Sequence, residues 1–208
     1  GGLVGSEMCI RDRVRSVEKL GWFSGNYVTS DEVIGDIDKE PVVLQLDSPI
    51  KQANQQSGSL NDWQSTIGKW AKGNSRAQFA ISCAVAVKLL DLAGVEGGGF
   101  NLRGASSSGK TSLLVASSSV YGLPEEAVRG WRSTANALEG LAALHNEGFL
   151  VLDEISEVQP EHAGEAAFML ANGRQKARAN RTGSSRKVLT WKLLFLSSGE
   201  ESLSNLLG

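Results

Sequence analysis

Two rhythms of apolar and polar positions divide the second half of the chain. Phe149, Leu150, Val151 and Leu152 run without a polar interruption and end in Asp153 and Glu154. A short unbroken apolar run of this kind predicts a strand buried on both faces of a parallel sheet. A second run, "VLTWKLLFLSSGE", predicts a strand from Val188 to Leu196 that ends in Ser197 and Ser198. Phe100 to Arg103 predicts a third, after the glycine break at 97–99, and "VRGW" a short fourth. Between the strands the period becomes helical. "KTSLLVASSSVYG" contains no Pro or Gly before Gly122, and Pro124 forbids continuation. In "STANALEGLAALHNEG", Leu138, Leu141 and Ala142 make a stripe, Ser133 or Thr134 caps the start, and Gly148 ends the helix. A further helix begins near Pro160 and closes at Asn172-Gly173. Strands alternating with helices predict an α/β fold with a mostly parallel sheet.

The first half is less regular. "KLGWFSGNYVTSDEVIG" and "PVVLQL" read as short strands with a Gly-Asn turn. "GSLNDWQSTIGKWAKG" reads as a helix capped by Ser59, with Trp63, Ile67 and Trp70 on one face as packing residues. "AQFAISCAVAVKLLDLAG" reads as an apolar helix capped near Asn74 or Ser75 and stopped at Gly94. Its apolar run is too short to span a bilayer and predicts a helix packed on the core.

The candidate chemistry lies where the helical and strand patterns meet. Between the strand ending at Arg103 and the helix opening at Lys110 stands "GASSSGKTS". It reads G-x-x-x-x-G-K-[ST], the Walker A pattern, at Gly104, Gly109, Lys110 and Thr111. Glycines let successive N–H groups turn towards phosphate oxygens, and the following helix adds its positive end. Gly104, Ser106, Ser107, Ser108, Gly109, Lys110, Thr111 and Ser112 are therefore the expected ATP-binding residues. Lys110 would reach the β- and γ-phosphates, and the Thr111 hydroxyl would take Mg²⁺.

Asp153 stands 43 residues beyond Lys110, room for a helix, a strand and a second helix. An acid at the end of an apolar strand is costly without a cation to meet it. In a P-loop protein that cation is Mg²⁺, held by this Asp (Walker B) and the loop hydroxyl. Glu154 beside it suits a general base that polarises an attacking water, which favours ATP hydrolysis over a small-molecule kinase. Ser198 has two readings, contact with the γ-phosphate or the attacking water, or simple satisfaction of a strand end.

Composition changes the picture in one place. The 208 residues are 41% hydrophobic and 21% charged, with a net charge of −2, as in ordinary globular chains. There is thus no global attraction to nucleic acid. Between Glu165 and Glu200, however, no acid occurs, while Arg174, Lys176, Arg178, Arg181, Arg186, Lys187 and Lys192 do. Such a stretch meets the phosphates of nucleic acid or of a neighbouring subunit's ATP, or it is a solvated face. The second reading brings with it a homo-oligomer. Cys9 and Cys83 make no disulfide framework, and His145 and His162 stand apart from any cysteine cluster, which speaks against zinc.

"GASSSGKTSLLVASSSVYG", "WRSTANALEGLAALHNE", "LVLDEI", "MLANGRQKARA" and "WKLLFLSSGE" follow one another in this order, after "GSLNDWQSTIGKWAKGNSRAQFAISCA". Together they resemble the bacterial and phage family called domain of unknown function 927, helicase-like P-loop proteins. The resemblance covers roughly residues 20 to 205. It implies a RecA/AAA-like ATPase core and a setting on phages, plasmids and integrated elements, with a primase as partner. It also implies that Gly104, Gly109, Lys110 and Thr111 bind nucleotide, that Asp153 serves magnesium, and that Glu154 is the catalytic acid.

The expected molecule is an α/β P-loop NTPase core over residues 96–208, truncated at its C-terminus. A small N-terminal α+β segment over 14–95 packs helices on it. Residues 1–13 contain "EMCIRDR", which resembles a translated sequencing adapter and is expected to be an artefactual tail on a fragment. The expected function is Mg²⁺-dependent ATP hydrolysis in the cytoplasm, away from membranes. It would be coupled to helicase-like work on nucleic acid, single-stranded DNA above all, in mobile-element replication. The strand contacts would come from Arg174, Lys176, Arg178, Arg181, Arg186 and Lys187. The alternative is a nucleotide-dependent switch or assembly module with little turnover.

Overall fold

The structure is a computed structural model and describes residues 15–35, 42–45, 57–122, 127–132, 134–175 and 188–200. The tail expected at 1–13 lies outside these residues. The chain divides into two compact units, residues 1–50 and 51–208.

In the first unit the described residues form strands and turns. Strand β1 (Arg15–Val17) pairs in parallel with β5 (Val42–Leu44), while β2 (Gly21–Phe23), β3 (Asn26–Val28) and β4 (Val33–Ile34) form an antiparallel meander. Val17, Val28 and Val42 make its small core. The turn between β2 and β3 is Ser24-Gly25, not Gly-Asn, with φ of 51° and 81°. A two-residue hairpin turn of this hand needs positive φ at both central positions, and Asn26 is left to pair with Phe23.

The second unit holds a four-stranded parallel sheet in the order β6-β9-β8-β7, from β6 (Gly98–Arg103), β7 (Val128–Gly130), β8 (Gly148–Asp153) and β9 (Leu193–Gly199). Alternate side chains of its two central strands enter different cores. Leu150, Leu152, Leu193 and Phe195 face α5 (Ala135–Leu144) and α6 (Pro160–Asn172). Phe149, Val151, Leu194 and Leu196 face α3 (Ser75–Ala86) and α4 (Lys110–Ser118). Both faces of the sheet are thus covered, as the unbroken apolar runs predicted. This is an α/β fold with a P-loop NTPase-like core.

Helix boundaries follow local chemistry. Asn74 and Thr134 accept the N–H groups of Ala77 and Ala137 and so cap α3 and α5. Pro160 opens α6 and Gly173, in the left-handed region, closes it. Helix α5 ends at Leu144, before Gly148, which opens β8 instead. Strand β9 begins at Leu193, five residues later than expected. Trp191 is pinned to the end of α6, its indole donating to Leu170 O at 3.0 Å and its backbone N–H to Gly173 O at 2.9 Å. Those bonds hold Trp191 off the line of the sheet, and Ser197 and Ser198 become strand residues.

The helix predicted from Ser59 is interrupted. Helix α1 (Leu60–Trp63) passes through a π-helical stretch, Gln64–Gly68, before α2 (Lys69–Ala71). The wider turn rotates the side chains of α2 about the helix axis relative to those of α1. Trp63 and Ile67 are half-buried, but Trp70 is 78% exposed, so the three do not share a packed face. Helix α3 buries Ala77, Ala80, Cys83 and Ala84 against the core as expected, and burial pushes the Cys83 thiol up. No helix among the described residues is long and apolar enough to cross a membrane.

Candidate functional site

Parallel strands all deliver their carboxyl ends to one edge of the sheet, and most of the predicted site residues gather there. Loop 104–109 joins the end of β6 to the start of α4. Its turn is made by two residues in the left-handed region, Ser107 at φ 58° and Gly109 at φ 84°. Gly109 is the N-terminal cap residue of α4, so the helix opens at Lys110 with its N–H groups towards the loop. The Gly104 N–H bonds Gly199 O at 3.2 Å, tying the loop's first residue to the end of β9. A Cβ at Gly104 would come within 2.7 Å of Ser108 Oγ, so the loop's mouth is shaped around a missing side chain. Lys110 Nζ donates to Gly104 O at 2.7 Å and Ala105 O at 2.9 Å, which holds the ammonium inside the loop. Ser106, Ser107, Ser108, Thr111 and Ser112 are exposed.

Asp153 is the hub that joins the loop to the other strands. Thr111 Oγ1 donates to its Oδ2 at 3.0 Å, across 42 residues of sequence. On the other oxygen, Oδ1 accepts the Glu154 N–H at 3.0 Å and the Ser198 hydroxyl. Ser198 lies on β9, between the strand that ends in the loop and the strand that ends in Asp153. Strand order alone therefore brings Ser198 to the carboxylate. Ser198 is 1% exposed, and its hydroxyl donates to Asp153 and accepts the Glu154 N–H.

Glu154 sits at φ 57° and ψ 70°, a conformation costing a non-glycine residue about 1–3 kcal/mol. Its N–H is held by Asp153 Oδ1 and by Ser198 Oγ at 3.2 Å, and Ser156 Oγ donates to its Oε1. These bonds hold the backbone in a strained turn. Sequence reasoning missed Ser156 and Trp131. The Trp131 N–H bonds Asp153 O at 3.4 Å and its indole donates to Ser197 Oγ at 2.8 Å, stitching three strand ends together. A tryptophan directly after a short strand was the available signal for Trp131; nothing in the sequence marked Ser156.

The donor set fits a magnesium–nucleotide. Magnesium in phosphate sites keeps several waters and takes one or two carboxylates beside phosphate oxygens. One carboxylate and one hydroxyl, Asp153 and Thr111, next to a loop of turned N–H groups, would suit such a site. Among the described residues no three His, Cys, Asp or Glu converge on a point. A separate cavity of about 280 Å³ opens beside Trp131, with Leu138, Glu139, His162 and Met169 in its wall and no loop residue.

The basic stretch divides. Arg174 is exposed and bridges to Thr190 after α6. Lys176, Arg178, Arg181, Arg186 and Lys187 lie outside the described residues. Lys192 does not belong with them: it pairs with Asp91 at 2.9 Å beside the amino end of β9, away from the loop.

A family model described as "Domain of unknown function (DUF927)" matches residues 5–190. No curated protein matches. Among solved structures, one titled "SCCmec type IV Cch - active helicase" is similar at a TM-score of 0.68 and 22% identity. The alignment covers 93% of this chain and 37% of that one, so the chain spans little more than a third of the helicase's length. NtrX from Brucella abortus aligns over 76% of this chain and 33% of its own, with 17% identity and a TM-score of 0.30, too low to inform the fold.

Proposed function

This chain belongs to the DUF927 family, and on that footing we propose that it is a Mg²⁺-dependent ATPase whose turnover drives helicase-like work on nucleic acid. The observation that carries the reading is the meeting of Thr111 with Asp153 at 3.0 Å, beside a glycine-turned loop at the carboxyl edge of a parallel sheet. The likeness to a structure titled as an active helicase supports the nucleic-acid part.

Each residue then has a task. The loop N–H groups from Ser106 to Ser112 and the Lys110 ammonium receive phosphate oxygens. Lys110 exchanges the carbonyls of Gly104 and Ala105 for them. Thr111 and Asp153 would hold the metal, which when bound would supply positive charge against the charge developing on the phosphates. Glu154 takes a proton from the attacking water, and Ser198 fixes the Asp153 carboxylate that would hold the metal. Arg174 and the cations at 176–187 supply phosphate contacts to a strand. The tie between Ser156 and Glu154 Oε1 favours the second reading, a nucleotide-dependent switch that hydrolyses little.

The test is paired: nucleotide affinity and phosphate release on the same preparation, with and without single-stranded DNA. Glu154→Gln should keep MgATP affinity near the parent's while release falls by about two to four orders of magnitude. Asp153→Asn should lose Mg²⁺-dependent binding as well. A parent that binds ATP and releases no phosphate under any condition hands the function to the switch.

A further inference from the structure

We propose that the corner between α2 and α3, residues 69–76, is a second contact for single-stranded nucleic acid, with Trp70 as a base-stacking platform and Lys69, Lys72 and Arg76 as its phosphate contacts. It rests on the reading that the protein works on nucleic acid and adds a surface to it.

Trp70 carries the inference first. A tryptophan is normally among the most buried side chains of a small core, yet this one is 78% exposed. Its exposure has a structural cause, since the π-helical stretch Gln64–Gly68 lies directly before it and turns it off the packed face. Such insertions are rare and concentrate at functional sites. By contrast Trp63, at the start of that stretch, is half-buried, and its indole donates to Ser119 Oγ at 2.8 Å. One tryptophan anchors the segment and the other is presented.

The charges around Trp70 carry it second. Lys69, Lys72 and Arg76 are all exposed, and no acid occurs between Asp62 and Asp91. Arg76 stands in the first turn of the twelve-residue α3, where a cation opposes the helix dipole and an acid would be stabilising. Its placement does not serve the helix. Phe168 makes a useful contrast: it is 71% exposed on α6, but its neighbourhood in the chain offers Glu165 and no cation before Arg174. Among the described residues Trp70 and Phe168 are the two aromatics more than 70% exposed, and of these only Trp70 stands among cations without acids, at the α2–α3 corner. That pairing of a stacking face with phosphate contacts is what sequence-tolerant binding of unpaired strands requires.

The segment is also tied to α4. The Trp63–Ser119 bond joins it to the end of α4, the helix that begins at Lys110. Helix α3 runs on from the corner and packs against α4 through Ala80, Cys83 and Leu114.

The experiment titrates fluorescein-labelled oligo(dT) with the full chain at several salt concentrations. Trp70→Ala should weaken binding about 5- to 150-fold, the contribution of one stacked base, and Trp70→Phe should restore most of it. Lys69→Ala, Lys72→Ala and Arg76→Ala should each flatten the salt dependence by about 0.7 in slope. Melting temperature and DNA-free phosphate release should stay at the parent's values, because these side chains are exposed and take no part in the hydrogen bonds of the loop. Parent-like binding by Trp70→Ala overturns the proposal, as does loss of binding in the cation variants alone, which marks a general anion surface. So does a parent that hydrolyses ATP but binds no oligo(dT), and so does Trp70-dependent capture of anionic lipid vesicles without oligo(dT) binding. If Trp70-dependent strand binding occurs in a parent that hydrolyses nothing, this proposal stands and the ATPase reading falls.

Discussion

At the carboxyl ends of the core strands sit Lys110, Thr111, Asp153, Glu154 and Ser198; beside the amino ends of the same sheet sit Lys88, His145, Glu147 and Lys192. The two groups share many ingredients. Each has a lysine whose ammonium donates to backbone carbonyl oxygen, Lys110 to Gly104 and Ala105, Lys88 to Glu147 at 3.1 Å. Each has a glutamate in the left-handed region, Glu154 at φ 57° and Glu147 at φ 50°. They differ in what the polar atoms are turned towards. At the amino end the partners are the protein's own: Lys88 lies 5.0 Å over the Tyr121 ring, Lys192 pairs with Asp91, and Asn146 Oδ1 accepts the Lys192 N–H. Burial pushes Lys88 down to about 8 against the opposing pull of Glu147. At the carboxyl end the loop hydroxyls are exposed and the N–H groups of a helix start lead into them. Strain and charge therefore do not identify a site by themselves; strain and charge with an open side do.

Exchanging the two lysines for alanine is the hardest test of this difference. Lys110→Ala should lower MgATP affinity by about ten- to 100-fold, the range for a hydrogen bond to a charged group, with melting temperature unchanged. Lys88→Ala should leave affinity alone and lower the melting temperature by several degrees, since a buried contact to Glu147 O is lost. Fluorescence titration with labelled nucleotide and a thermal melt on each variant decide it. Equal loss of affinity in both would erase the distinction between the ends.

A smaller effect sharpens the comparison. Ser198→Ala removes a donor to Asp153 and should cut phosphate release about tenfold while affinity holds. Its counterpart, Asn146→Ala, removes the acceptor of the Lys192 N–H and should change stability only. Release rates and melts on the two variants should fall on opposite sides; reduced release from Asn146→Ala would show that the amino end reaches the chemistry.

Much of this was legible in the sequence because it depends on local chemistry. The unbroken run 149–152 marked a doubly buried strand, the caps were narrowed to Asn74 or Ser75 and to Ser133 or Thr134, of which Asn74 and Thr134 serve, and Pro160 with Gly173 bracketed α6. The loop's spacing placed Gly109 where left-handed backbone is needed. The hidden part depends on tertiary contacts. Strand order, which inserts β9 between β6 and β8 and so delivers Ser198 to Asp153, is written in no single segment. Strand β9 starts later than its apolar run suggests because Trp191 answers to α6, which periodicity does not register. An unbroken helix would make Trp70 a packing residue, and the π-helical stretch that turns it outwards has no signature in residue type.

A third expected effect lies in pH, and it belongs to the amino end. Burial lowers His145, with Arg129 and Lys88 acting the same way, although the backbone contact to Leu141 O at 2.9 Å opposes them. Just below its ordinary value of about 6.5 the unfolded chain then holds more protons at His145 than the folded one, so stability falls as pH drops. Lys88 works at the other limit. Its folded value is about 8 against an unfolded value of about 10.4, so between these the unfolded chain again holds more protons. Stability therefore rises with pH through that window. Between roughly pH 6.5 and 8 neither group changes charge on unfolding, and their joint contribution is flat. Chemical denaturation across this range, on the parent, His145→Leu and Lys88→Met, separates the two. His145→Leu should remove part of the acid fall and Lys88→Met the alkaline rise, each relative to the parent's own profile. Nucleotide affinity should follow neither curve in these variants. An alkaline rise that survives in Lys88→Met would mean that Lys88 is not held in its low range by burial, and the amino end would lose its claim to be a closed, purely structural cluster.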